Sequence, residues 1–198
     1  MGSYLRALGI NATVVKEPAE VIIGEAVTES VIKVKGQSID EVRLLSNDYI
    51  SCGAMGSISR FQYQLILDKV LPDNAGRMIN TKTKQVKEKK ILGLFAGTIA
   101  DVKWQGRELA ERLNSDNEIK SVLLRCARHW GNAEFQIDVK SPTIIEILGP
   151  RFVDADWIPQ MDTSEGKRGY EDCVFGFKIC NHIARHVRKL IDYRQKKQ

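Results

Sequence analysis

The apolar and polar positions in the first part of the chain favour short strands. Largely apolar, β-branched stretches occur at Ile10–Val15, Val21–Ile23, Val27–Val34 and Ile39–Leu45, with glycine or proline turns between them. Phe61–Leu67 alternates apolar and polar residues, as a strand with one buried face does. Turns this close together are typical of antiparallel pairing, because a parallel crossover needs a longer connection.

Later segments also have strand patterns. Arg77–Val86 is polar, and its lysines would discourage pairing, so we expect it at a sheet edge. Lys90–Trp104 is predicted to be a long buried strand or a hairpin. Phe135–Val139 and Thr143–Leu148 flank the turn residues Ser-Pro and predict a second hairpin that ends at Gly-Pro. Phe152–Tyr170 is acidic, contains proline and glycine, and is expected to form a loop.

Two segments have the apolar spacing of amphipathic helices. The first covers about residues 106–130, where Ser115 and Glu118 fit a capping box, so we expect a kink or a short break at Ser115. The second covers about residues 172–193 and begins with Asp172 as a plausible N-cap. Its apolar residues share one arc of the helix, and Arg185, Arg188, Lys189 and Asp192 fall on the other side.

These elements predict an α+β fold. It would contain a largely antiparallel sheet or sheets, a kinked or broken middle helix pair and a C-terminal amphipathic helix. The 198 residues suit one α+β domain over 1–198. The alternative is a small N-terminal β subdomain over 1–50 followed by an α+β body over 51–198.

Composition excludes several classes of protein. The chain is 43% apolar and 28% charged, which is ordinary for a globular protein and argues against disorder of the whole chain. No apolar run reaches the roughly 18–20 residues that a membrane span needs. Residues 1–10 lack the apolar core of a secretory signal, so the expected compartment is the cytoplasm. Four cysteines, at 52, 126, 173 and 180, are then expected to be free thiols.

The positive charge is concentrated in two stretches. From Lys178 to the end, seven cations oppose only Asp192, so this tail carries +6. Because the whole chain carries +5, the first 177 residues carry −1. Within those, Lys82–Lys90 has five lysines against Glu88 and carries +4. This asymmetry suggests an anionic partner: an acidic protein, nucleic acid or an anionic membrane surface.

The anion-binding hypothesis names eleven cations. On the C-terminal helix and tail they are Arg185, Arg188, Lys189, Arg194, Lys196 and Lys197, and in the lysine-rich stretch they are Lys82, Lys84, Lys87, Lys89 and Lys90. The simpler interpretation is a terminal helix that packs by its apolar face and keeps its cations in water. The apolar arc lacks aromatic residues beyond Phe177, which disfavours membrane insertion. Only Tyr193 lies among the late cations, which offers little base stacking.

Metal-ligating residue types occur on two helices. Cys180, His182 and His186 form C-x-H-x3-H, and two histidines four positions apart can reach one metal ion. Cys126 and His129 form an i,i+3 pair on the middle helix. No C-x-x-C motif is present, so no metal or cofactor is assigned, and core cysteines with histidines on the helix flank are the preferred interpretation.

No catalytic signature or nucleotide-binding loop is present. Cys52 lies in a glycine-containing turn that could expose a nucleophile, although the turn matches neither a P-loop nor a nucleophile elbow. The leading hypothesis is therefore a non-enzymatic binding or scaffold domain that engages an anionic partner. The alternatives are an enzyme whose site is built from scattered Cys and His residues, and a zinc-stabilised domain.

Overall fold

The computed structural model describes residues 2–15, 27–51, 54–87, 99–130, 133–155 and 164–196. Its strands are β1 (Asn11–Val15), β2 (Val27–Lys35), β3 (Glu41–Ser51), β4 (Ala54–Ile66), β5 (Thr81–Lys87), β6 (Ile99–Gly106), β7 (Gln136–Ser141) and β8 (Ile144–Ala155). Its helices are α1 (Gly2–Ala7), α2 (Ala75–Ile79), α3 (Glu108–Ser115), α4 (Asn117–Trp130) and α5 (Ser164–Gln195). The fold is α+β, as the sequence predicts.

All eight strands belong to one antiparallel sheet, in the order β1-β2-β3-β4-β8-β7-β5-β6. The β2–β3 connection turns at Gly36, whose φ of 74° favours glycine. β3 and β4 pair from Glu41↔Gln64 to Ser51↔Ala54, so this hairpin runs across residue 50. The division of the chain into domains stays a prediction.

The two faces of the sheet differ in what covers them. A row of paired residues crosses five strands on the helix-facing side, and all of its members are buried: Val42, Tyr63, Ile147, Ile137 and Thr81. The adjacent row, on the opposite face, runs through Gln62, Leu148, Gln136, Lys82 and Gln105. Strand alternation therefore directs Lys82 away from the helices.

α5 is the longest helix and packs its apolar side against α3, α4 and β8. From residue 175 onward, where the structure describes its side chains, the buried residues are Gly176, Phe177, Ile179, Cys180, Ile183, Ala184, Val187, Leu190 and Ile191. The Phe177 ring lies 6.4 Å from that of Tyr63. A Cβ on Gly176 would come 3.2 Å from the Tyr63 hydroxyl, so glycine allows close packing at this contact. Each large buried side chain contributes about 1.5–3 kcal/mol.

The predicted edge strand at Arg77–Val86 is wrong at its start, where the chain is helical and where β5 has a partner strand on both sides. Its first residues belong to α2, and the rest form β5, which pairs with β6 along its length and with β7 at Thr81 and Lys82. A polar alternation shows which face of a strand meets water, but it does not show which strands lie beside it. Lys82 therefore projects from a face of the sheet at a position with a partner strand on both sides.

The predicted loop at Phe152–Tyr170 is also wrong at both ends. β8 continues through Gly149 and Pro150 to Ala155. The register of β4 against β8 shifts at this point, which indicates a bulge. β7 pairs with β8 only as far as Leu148, so Pro150 has one neighbouring strand fewer than the residues before it. α5 begins at Ser164 rather than Asp172, because glycine weakens a helix without removing a backbone donor.

The capping box predicted at Ser115 and Glu118 is wrong as well. Ser115 Oγ donates to the Glu111 carbonyl at 2.9 Å. Asp116 Oδ1 instead accepts from the Ile119 amide at 2.9 Å, so Asp116 caps α4.

Several predictions fall outside the described residues. They concern the strand at Val21–Ile23, the turn cysteine Cys52 and residues 90–98 of the predicted strand or hairpin at Lys90–Trp104. Among the helices that the structure describes, none is both long and apolar enough to cross a membrane.

Candidate functional site

The outward side of α5 and the residue directly after it carry a line of four cations. Lys178, Arg185 and Lys189 lie on α5, Lys196 follows its last residue, and all four are exposed. At 100° per residue they fall within an arc of about 40°, and they extend over about 27 Å of helix axis. This arc lies opposite the buried side of the helix. We call these four residues the cationic stripe.

Two of the predicted anion-binding arginines are used within the fold. Arg188 donates from Nε to the Ser38 carbonyl at 2.9 Å and from its terminal nitrogen to Asp40 at 2.6 Å. Arg194 donates to Glu108 from Nε at 3.2 Å and from a terminal nitrogen as well. The Arg194 hydrogen bond lowers the pKa of Glu108, and Arg112 adds to the effect. Both arginines therefore connect α5 to other elements.

The lysine-rich stretch does not extend the stripe. Lys82 and Lys84 pair with Gln105 and Lys103 on the face of the sheet opposite the helices. The stripe lies on the outer side of the helix layer, so the sheet separates the two groups of cations. Lys87 is exposed at the far end of β5. Lys89, Lys90 and Lys197 lie outside the described residues.

A groove of about 270 Å³ runs between α4 and α5 beside the stripe. Its apolar lining comes from Ile119, Val122, Phe175 and Ile179, and its charged lining from Glu118, Arg125 and Lys178, with His182 at one end. The Arg125 guanidinium lies over the Phe175 ring, 4.3 Å from its centroid. This stacking places a cation on the α4 side of the groove.

Two histidines of α5 converge on the N-terminus of α4. Asp116 Oδ2 lies 2.8 Å from His186 Nε2 and 3.3 Å from His182 Nε2. The imidazole rings stack, with centroids 5.4 Å apart and an interplanar angle of 12°. Their spacing of four residues places both on one side of the helix. We call Asp116, His182 and His186 the His–Asp cluster.

Charged and hydrogen-bonding groups surround the His–Asp cluster. Burial alone would raise the pKa of Asp116, but the Ile119 amide, the His186 hydrogen bond and the charges of the two histidines together lower it. Glu118 Oε2 lies 3.4 Å from Nδ1 of His182, on the other side of that ring from Asp116. The three side chains of the cluster keep between 18% and 23% of their surface exposed, so small ions can reach them.

The cysteines lie apart from this cluster. Cys126 and Cys180 are fully buried in the core and are not joined by a disulfide. Burial, together with the neighbouring Cys126, raises the pKa of the Cys180 thiol well above its ordinary value. Within the described residues, the histidines of C-x-H-x3-H therefore meet a carboxylate rather than Cys180. The side chain of His129 lies outside the described residues.

Two functional residues are absent from the sequence-based site hypotheses. Lys178 belongs to the stripe because it lies seven residues before Arg185, a spacing that the helical pattern already contains. Asp116 joins the histidines only because α4 and α5 pack together. His182 and His186 lie 66 and 70 positions after Asp116, so no local sequence pattern predicts that the three side chains meet.

The fold and the site were compared with known proteins. No protein-family model, curated protein or solved structure matches the chain.

Proposed function

We propose that this chain is a non-enzymatic binding domain that holds an acidic segment of a partner protein along the cationic stripe. The observation that carries the proposal is the alignment of Lys178, Arg185, Lys189 and Lys196 on the exposed side of α5. A helix that only needed solubility would gain as much from acidic residues or from mixed charges. Cations in line give a directional field that attracts and orients an acidic segment.

The groove supports an acidic peptide over a nucleic acid. Its lining combines the apolar side chains of Ile119, Val122 and Ile179 with the cations Arg125 and Lys178. An amphipathic acidic peptide can bury apolar side chains there while its carboxylates face the cations. A phosphodiester backbone has no such side chains. One face of each nearby aromatic ring is also covered by an arginine, since Arg125 lies over Phe175 and Arg112 lies 5.4 Å from the Tyr193 ring centroid.

The same surface is poorly suited to a membrane. Most large apolar residues of α5 that the structure describes point into the core, whereas Phe175 lines the groove and Tyr193 is exposed. The stripe residues themselves offer charge but no apolar anchor, and charge alone gives weak, salt-sensitive attachment.

Charge reversal on the stripe tests the proposal. The probe is a fluorescently labelled peptide of alternating glutamate and leucine, titrated at low and at physiological ionic strength. We expect the double variant R185E/K189E to bind about tenfold more weakly, since exposed charge pairs contribute about 0.2–1 kcal/mol each and reversal adds repulsion. The loss should shrink as salt is added.

The chain offers a matched control. K82E/K84E changes the net charge by the same amount on the opposite face of the sheet. It should keep the affinity of the unmodified chain. If both double variants lost the same affinity for the peptide, binding would depend only on net charge. This result would overturn the proposal.

Parallel titrations separate the partner classes. Single-stranded RNA, duplex DNA and phosphatidylserine vesicles are offered at the same ionic strengths. If one of these binds more tightly than the acidic peptide and loses affinity in R185E/K189E, the stripe serves that partner and the acidic-protein assignment is wrong.

A further inference from the structure

We infer that the His–Asp cluster binds one divalent transition-metal ion, with Zn²⁺ as its best match. One donor atom from each of its three residues lies within 4.8 Å of the other two, and Nε2 of both histidines faces Asp116 Oδ2. Imidazole nitrogen and carboxylate oxygen are common ligands of Zn²⁺ in proteins. This inference concerns a second site and does not depend on the proposed function of the stripe.

The donor separations suit an ion held between them. Zn²⁺ binds such donors at about 2.0–2.2 Å, so neighbouring ligand atoms lie roughly 3.0–3.5 Å apart. The Oδ2–Nε2 distances of 2.8 and 3.3 Å are close to this range. The rings are nearly parallel, at 12°, so at least one must rotate to direct both nitrogens at the same point. The partly exposed cluster leaves room for that rotation.

The Asp116 carboxylate divides its two oxygens between two roles. Oδ1 accepts the Ile119 amide and caps α4, whereas Oδ2 faces the two histidines. The cap fixes the orientation of the carboxylate, so an ion would meet a donor that is already in place. The positive end of the α4 dipole opposes a cation there, and the charges of Asp116 and Glu118 offset it.

Metal-bound histidines commonly have a carboxylate beside the ring nitrogen that does not bind the metal, and Glu118 has this position beside His182. Its carboxylate lies 3.4 Å from Nδ1 of His182. A proton held on Nδ1 by this carboxylate leaves the lone pair of Nε2 directed toward Asp116. Three protein donors leave at least one coordination position for water, as in zinc sites that are not closed by a fourth residue.

Metal titration of the full chain tests the site. The protein is stripped with a chelator, and Zn²⁺ is then added in calorimetry and in competition with a chromophoric indicator. We expect one ion per chain. The variants H182A, H186A and D116N should each lose most of the affinity, and E118Q should lose roughly 10–100-fold.

The controls distinguish the cluster from other ligands. H129A removes the third histidine of the chain and should keep the affinity. Asparagine at 116 still caps a helix, so D116N should remain folded by circular dichroism while losing a charged ligand. Co²⁺ bound at this site should lack the near-ultraviolet charge-transfer band that thiolate ligands give.

Four results would overturn the inference. They are no stoichiometric zinc in the unmodified chain, unchanged affinity in folded D116N together with H186A, loss of affinity in H129A, and a thiolate band with Co²⁺. The last would place the ion on cysteines instead.

Discussion

Arg188 of α5 and Asp40, which directly precedes β3, are joined by a hydrogen bond of 2.6 Å. The same Asp40 oxygen accepts the amide of Ile66 at 2.6 Å, so one carboxylate connects α5 with the end of β4. Asn181, two turns earlier on α5, accepts the amides of Ser38 and Ile39 at 2.9 and 3.3 Å. These contacts hold the β2–β3 connection against α5.

Arg188 is therefore expected to act on stability rather than on partner binding. R188A removes two charged hydrogen bonds and should lower the free energy of unfolding by about 1–2 kcal/mol. R185A, a matched change on the exposed stripe, should alter stability by less than about 0.5 kcal/mol. Urea denaturation of both variants measures this difference. Equal stability in the two would contradict the structural role of Arg188.

Asp116 is expected to stabilise α4 as its N-cap. D116A should lower the free energy of unfolding by about 0.5–2 kcal/mol, because the Ile119 amide loses its acceptor. D116N should lower the free energy of unfolding much less, since the asparagine side chain retains an acceptor oxygen. S115A should have little effect if Asp116 is the cap. Thermal and urea unfolding without added metal decide this, and a larger loss in S115A than in D116A would restore the capping box.

Glu108 is expected to make stability depend on pH. Its pKa is lowered in the folded protein by the hydrogen bond from Arg194, below the ordinary value of 4.5. A carboxylate with a lowered folded pKa stabilises the fold above its unfolded pKa, and this stabilisation is lost as the pH falls through the folded pKa. E108Q should therefore be less stable than the unmodified chain at neutral pH, by about 0.2–1 kcal/mol.

The same comparison in acid provides the check. Below pH 4.5 the difference in the free energy of unfolding between E108Q and the unmodified chain should shrink and then vanish. Urea denaturation across this range measures it. A difference that stays constant from neutral pH into acid would show that Glu108 acts through packing instead of charge.

Cys180 is expected to be unreactive in the folded chain. It is fully buried, and burial raises the pKa of its thiol, so little thiolate exists at neutral pH. Iodoacetamide labelling followed by peptide mapping should modify Cys180 and Cys126 only after denaturation. Rapid labelling of either cysteine in the native chain would favour the alternative of an enzyme with a cysteine nucleophile.

Much of the sheet was predictable because each strand pattern is local. Alternation at Phe61–Leu67 and at Phe135–Val139 identifies residues that do lie in or beside strands with buried faces. Their neighbours in the sheet were not predictable. β5 and β7 pair across residues 81 and 137, and nothing near either residue specifies the other.

The candidate sites were likewise predictable only where they depend on a local pattern. The stripe follows from the helical period of α5 once the buried side is known. The use of Arg188 and Arg194 in ion pairs does not, because Asp40 and Glu108 lie far away in sequence and reach α5 only in the packed fold. The His–Asp cluster likewise requires α4 and α5 to be adjacent.

The position of α5 in the chain has a consequence for biosynthesis. Its contacts with the β2–β3 connection join residues 142 to 150 positions apart, and α5 follows all eight described strands. A ribosome therefore releases the sheet before the helix that covers Tyr63 and Ile147. During that interval the part of the apolar face that α5 covers is open to water, and contacts of such long separation close slowly. A nascent chain stalled ahead of α5 should consequently be a substrate for chaperones.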